Sequence, residues 1–194
     1  MNAIVHEEFP HTWSAQVLTA PPMIAPARQF VYPLYVPGEE DAMARGALLL
    51  NVKPTSGGAF LATCALGFRD PSLPSGVFAC PRGDDLLAVA GGYAYLVDTL
   101  QPERCLHLPL RPVTQILAAP VEGLLLLAGF HHVAAIGAAG LLWESKRLSW
   151  EGVQLGEVAD GKLHGSGWNM RTDRDVPFAI DLRTGEHTGG GFTP

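Results

Sequence analysis

Residues 116–143, ILAAPVEGLLLLAGFHHVAAIGAAGLLW, constrain this chain more than any other stretch. They hold one formal charge, Glu122, two adjacent histidines, and five glycines or prolines in 28 residues. A membrane span, a buried helix or strands of a sheet would each make a different protein of it. The window 124–142 is apolar enough to nominate a transmembrane helix. That reading places His131 and His132 near the bilayer centre, where ionisable groups are costly. Gly129, Gly137 and Gly140 also interrupt the run at turn-like intervals. Strands buried on both faces read as near-continuous apolar runs, and two such strands explain the stretch better.

The flanking sequence repeats the pattern. GVFAC (76–80), LLAVA (86–90), YAYLVD (93–98) and CLHL (105–108) are short apolar runs separated by RGDD, GG and LQPE. VTQILAA (113–119), LLLLA (124–128), VAAIG (133–137) and LLW (141–143) form a second set. GVQLGEV (152–158), KLHGSG (162–167), VPFAID (176–181) and EHTGG (186–190) form a third, with a longer loop, NMRTDRD (169–175), in its middle. Anchored on Asp98, Gly137 and Asp181, the sets recur at about 39 and then about 44 residues, a period found in propellers and solenoids. The five extra residues are assigned to the NMRTDRD loop.

Upstream, ALLLNV (47–52) and AFLATCALGF (59–68) flank KPTSGG, which predicts a hairpin. QFVYPLYV (29–36) suits a strand that Pro33 confines to an edge or a bulge. GEEDAMARG (38–46), acidic first and basic last, predicts one or two helical turns. Residues 1–28, with the proline-punctuated APPMIAPAR (20–28), read as an irregular N-terminal arm. The expectation is an all-β chain of repeated four-stranded antiparallel units, small or partial β-propeller-like. Its single domain spans 29–194, with units near 47–71, 72–110, 111–150 and 151–190.

The segment VPFAIDLRTGEH (176–187) resembles the strand–turn–strand ending of blades in quinoprotein-like and WD-type β-propellers. YLVDTLQPERCLHL (95–108) and AAIGAAGLLWES (134–145) are similar to it in a weaker form. The resemblance covers roughly 72–190 and implies architecture only, because turn geometry alone selects Asp and Gly at such positions. No tryptophan-docking motif recurs in every unit, and Trp143 alone sits where a quinoprotein blade would carry one. RLSWEG (147–152) and DRDVPFAIDLRTGEH (173–187) also resemble segments of a bacterial protein family, from which no activity follows.

Charge excludes some partners. The formal net charge is −6 with 13 Lys and Arg, and no basic run occurs. Nucleic-acid binding draws most of its affinity from neutralised phosphates, so a nucleic-acid partner is not expected. Neither is an anionic membrane surface. Cys64, Cys80 and Cys105 form no CxxC pair, which leaves no zinc ribbon. Three unpatterned cysteines suit buried thiols in a reducing compartment, and the acidic start MNAIVHEEFPHTW is no secretory signal. A cytoplasmic protein with no metal and no cofactor is expected.

Three constellations carry candidate chemistry. His131 and His132 lie at the turn between two strands, and adjacent strand residues point to opposite faces. One is therefore expected packed and the other at the surface, with no shared metal. Arg171, Asp173, Arg174 and Asp175 put four charges into the one unit with an inserted loop, and functional residues concentrate on loops over rigid scaffolds. Trp143, Trp150 and Trp168, among Glu144, Lys146 and Arg147, supply the aromatic and charged mix of binding hot spots. HGSGW (164–168) fails as a nucleophile elbow because His164 stands where GxSxG needs glycine.

The expected function is a non-enzymatic protein-binding or assembly module, with Trp143, Trp150, Trp168, Arg171, Asp173, Arg174 and Asp175 as its contact residues. Its partner is another protein or a second copy of the chain, and the N-terminal arm is a second candidate for such docking. The alternative is a hydrolase or lyase using His131 or His132 with Asp98 or Asp175 in a central cleft. A cleft where a histidine and a carboxylate converge would favour that alternative.

Overall fold

The computed structural model describes residues 4–24, 26–33 and 42–193. Among the described residues seventeen strands in four sheets make the all-β architecture of sheet units expected from the sequence. The chain divides into two compact units, Met1–Pro112 and Val113–Pro194. No helix among the described residues is long and apolar enough to cross a membrane.

The first unit holds two sheets. One has five strands in the order β1 (Ile4–His6), β6 (Gly76–Ala79), β7 (Asp85–Ala90), β8 (Tyr93–Asp98) and β9 (Cys105–His107). The β6–β9 run is the antiparallel meander expected from the sequence, and β1 joins its edge in parallel with β6. The other sheet has the order β2 (Trp13–Leu18), β4 (Ala47–Pro54), β5 (Phe60–Ala65) and β3 (Arg28–Tyr32). β4 and β5 form the expected hairpin around the turn after Pro54.

β3 lies at a sheet edge and ends one residue before Pro33, whose missing N–H cannot extend the ladder. A 3-10 helix, Ala42–Arg45, occupies the end of the segment expected to be helical; residues 38–41 of that segment lie outside the described residues.

The N-terminal arm does more than the sequence suggested, because it supplies β1 and β2. β2 alternates buried and exposed positions, so Trp13 points inward and its indole N–H donates to the carbonyl of Asp85 at 3.0 Å. The two sheets of this unit are further stitched by tyrosines. Tyr95 Oη donates to the carbonyl of Ala65 at 2.9 Å, and Tyr32 Oη to that of Pro102 at 2.6 Å. Gly91 is needed at its position: φ is +54°, and a Cβ there would strike the carbonyl oxygen of Phe68.

The second unit is two four-stranded meanders. Residues 116–143 are resolved into β10 (Gln115–Ala119), β11 (Leu124–Ala128), β12 (Val133–Gly137) and β13 (Gly140–Glu144), paired in sequence order. Every residue of β11 and β12 is buried, which is why the run is apolar on both faces. The following meander is β14 (Val153–Ala159), β15 (Lys162–Asn169), β16 (Arg174–Asp181) and β17 (His187–Gly189). Leu126, Val133, Leu148, Val153, Leu163, Phe178 and Ile180 share one core across both meanders.

The anchors of the sequence period have a physical meaning. Asp98 Oδ1 accepts the backbone N–H groups of Leu100 and Gln101, and Asp181 Oδ1 those of Arg183 and Thr184. Both aspartates close the same kind of turn after the third strand of a meander. At the third anchor, Gly137 pairs with Gly140 across a two-residue turn too short to need a side-chain cap. The five extra residues of the last meander do not form a long loop. The strands are longer instead: β15 and β16 have eight residues each, against five in β11 and β12.

Candidate functional site

Two places hold chemistry-bearing side chains, one in each unit. In the second unit, the β15–β16 hairpin projects Met170–Asp175. Asn169, buried at its base, accepts the backbone N–H groups of Arg171 and Thr172 at 2.9 and 3.1 Å. Asp173 takes a left-handed φ of 51° to close the turn. Its Oδ1 accepts the indole N–H of Trp168 at 3.0 Å. Trp168 faces Asp175 across the ladder, and Asn169 faces Arg174. Met170, Arg171, Thr172, Asp173, Arg174 and Asp175 are all exposed. The residues expected in a loop are thus divided: Asn169, Arg174 and Asp175 lie in strands, and only 170–173 form the turn.

Behind this hairpin, Ser149 and Arg147 hold the preceding segment in place. Ser149 Oγ accepts the backbone N–H of Trp168 and donates to the carbonyl of Gly152, at 2.9 and 3.0 Å. Arg147 donates to the carbonyls of Ser149 and Trp150, each at 3.0 Å. Its guanidinium lies 4.5 Å from the Phe192 ring centroid and 5.3 Å from that of Trp150. Cation–π contacts of this kind are worth up to about 2 kcal/mol when desolvated. The Trp150 indole N–H is buried and has no hydrogen-bond partner among the described residues.

Trp143 stands apart from Trp150 and Trp168. It reaches from β13 to the turn after β16, donates to the carbonyl of Leu182 at 2.8 Å, and packs on Gly185. Gly185 has φ +73°, and a Cβ there would come within 2.8 Å of the Trp143 ring. Trp143 packs within the unit, while the 168–175 hairpin is the exposed member of the set.

The two histidines differ from expectation. Both lie at the turn before β12, as expected, but they are not divided into one packed and one exposed residue. Both are half-buried and their rings meet edge to face at 6.1 Å. His131 Nδ1 lies 3.4 Å from Arg147 Nη2. Burial, with His131 next, lowers the pKa of His132. Among the described residues neither forms an ion pair with a carboxylate, and Asp98 is engaged by Arg82 at 3.1 Å.

The motif HGSGW has a packing explanation. The space a Cβ would take at Gly165 is filled by the Phe178 ring and the carbonyl oxygen of Gln154.

The first unit carries a feature that sequence reasoning missed. A cavity of about 550 Å³ opens between β3 and the β8–β9 edge, with Tyr32, Tyr95, Cys105, His107 and Glu103 in its lining. The signal for it was period-two alternation: Phe30 and Tyr32 share one face of β3, and Cys105 and His107 share one face of β9. A histidine and a carboxylate do line one cleft here. Yet His107 is packed against two rings, 4.8 Å from Tyr95 and 4.9 Å from Tyr93. Burial pushes the Cys105 thiol up to about 12, so at neutral pH it is protonated and a poor nucleophile. The arrangement is better suited to holding a ligand than to attacking one.

Among the described residues no three His, Cys, Asp or Glu side chains are grouped as a metal site. No protein-family model matches the chain, and no curated protein matches it. Among solved structures it is similar to the N-terminal domain of Nup159, at 13% identity and a TM-score of 0.33. That similarity covers 96% of this chain and 52% of the other, so the chain spans about half the length of that relative. The architecture rests on the sheet pairing itself.

Proposed function

We propose that this chain is a non-enzymatic, cytoplasmic protein-binding or assembly module that presents the 168–175 hairpin to another protein. One observation carries the reading. Six consecutive side chains, Met170–Asp175, are exposed along a hairpin tip whose backbone is fixed by the buried Asn169 and by the Trp168–Asp173 bond. A rigid, exposed element loses little conformational entropy when it docks. Its alternating Arg171, Asp173, Arg174 and Asp175 suit a polar rim around Met170 and Trp168 rather than a nucleic acid or an anionic surface. In this reading Trp150, held with Arg147, backs the hairpin, while Trp143 packs at the turn after β16 and makes no contribution to it. The three cysteines, all free thiols, are compatible with a reducing compartment.

The test is the double variant Met170→Asp/Arg174→Glu, both positions being exposed. Partners cross-linked in cells and the solution mass over a range of concentrations are compared with the parent chain. Loss of a specific partner, or of self-association, at unchanged thermal stability is expected. An unchanged partner set and unchanged mass would refute the proposal.

A further inference from the structure

We infer that the cavity of the first unit is a binding site for a small organic ammonium ion, quaternary or alkylated. The inference is independent of the hairpin proposal, since the two features lie in different units.

The argument begins with the rings. Phe30 and Tyr32 are near-parallel at 6.4 Å, Tyr32 and Tyr95 follow at 6.3 Å, and Tyr95 and His107 are stacked at 4.8 Å. They form a continuous aromatic wall from β3 through β8 to β9. Both tyrosine hydroxyls donate away from the space, to the carbonyls of Pro102 and Ala65. Tyr95 is fully buried beneath His107, so the π surface left to face a ligand is that of Phe30 and His107 with the open part of Tyr32, and the quadrupole of such rings attracts cations.

Charge agrees with the rings. Among the described residues Glu103 is the one carboxylate of the lining, and no Lys or Arg lines the cavity. Among the described residues Glu103 forms no ion pair. The nearby Arg28 is held elsewhere, its guanidinium 5.6 Å from the Phe30 centroid and 5.9 Å from that of Phe60, while it donates to the carbonyl of Gly58. That contact shows the Phe30 ring already accepting a cation. The volume, about 550 Å³, lies within the range of small-molecule sites. An anion would meet Glu103 without a compensating base, and a neutral apolar molecule would leave Glu103 unused.

The experiment is isothermal titration of the full chain with choline and with its uncharged isostere 3,3-dimethylbutan-1-ol. Saturable binding of choline is expected, with the isostere at least about tenfold weaker, because only the cation gains from the rings and the acid. Glu103→Gln, at an exposed position, and Phe30→Leu should each weaken choline by about three- to tenfold. The hairpin variant Met170→Asp/Arg174→Glu, which lies in the other unit, should retain binding. Equal binding of choline and its isostere would overturn the inference, as would no saturable choline binding. An affinity unchanged in both Glu103→Gln and Phe30→Leu would overturn it too, since the ligand would then sit elsewhere.

Discussion

Asp85 offers a direct test of how this chain balances burial against charge. It opens β7, and its side chain is 6% exposed. Arg82 lies 3.3 Å away, but the Arg82 side chain is 44% exposed and is shared with Asp98 at 3.1 Å. Water therefore screens the attraction, while the desolvation of the buried carboxylate stays largely uncompensated. Burial raises the Asp85 pKa to about 6, ahead of the opposing effect of Arg82. An unfolded Asp titrates near about 3.9. Between those values the folded state holds a proton that the unfolded state has lost, so stability falls as pH rises through the window and is level above it.

The difference of about two pKa units corresponds to about 3 kcal/mol lost between pH 4 and pH 6. Asp85→Asn keeps the size and an oxygen that can accept from Arg82. It is expected to remove this slope and to stabilise the first unit at pH 7 by about 1–3 kcal/mol. Urea unfolding across pH, read by ¹⁹F-labelled Trp13, reports the unit locally, because Trp13 donates to the Asp85 carbonyl. A parent chain whose stability rises from pH 4 to pH 6 in an Asp85-dependent way would refute the reasoning. It would mean that the Arg82 pair outweighs burial.

Two further outcomes follow from the second unit. Asn169→Ala removes the acceptor for Arg171 and Thr172 and should cost about 1–2 kcal/mol. Hydrogen exchange at those two amides should quicken much more than in β11, and an unchanged protection pattern would deny Asn169 its role in stiffening the hairpin. Trp143→Phe removes the bond to Leu182 but keeps much of the ring packing on Gly185. A loss of about 1 kcal/mol in denaturant unfolding is expected, with no effect on partner capture.

Much of the strand pattern was legible because it is local. YAYLVD, LLLLA and VAAIG became β8, β11 and β12 at the expected residues, since turn-forming Gly and Asp bound each of them on both sides. The N-terminal arm was less legible: WSAQVL lacks the β-branched run that advertises a strand, and it is held by pairing with β4, from Trp13 with Pro54 to Leu18 with Leu49. The hairpin residues stand out in the sequence through their charge. Their division into strand and turn does not, because it depends on Asn169 folding its side chain back onto the backbone.

The sequence by itself determined that this protein is built from short strands in successive meanders. Periodicity, turn chemistry and burial on both faces are properties of neighbouring residues, and they ruled out a helical span at 116–143. Only the tertiary structure decided which faces meet. It set Trp143 against Gly185, and it brought Phe30 and Tyr32 of β3 to one cavity with Tyr95 and His107. Those encounters join residues some 40 to 75 positions apart in the chain. No local pattern records them, because they follow from how whole sheets pack.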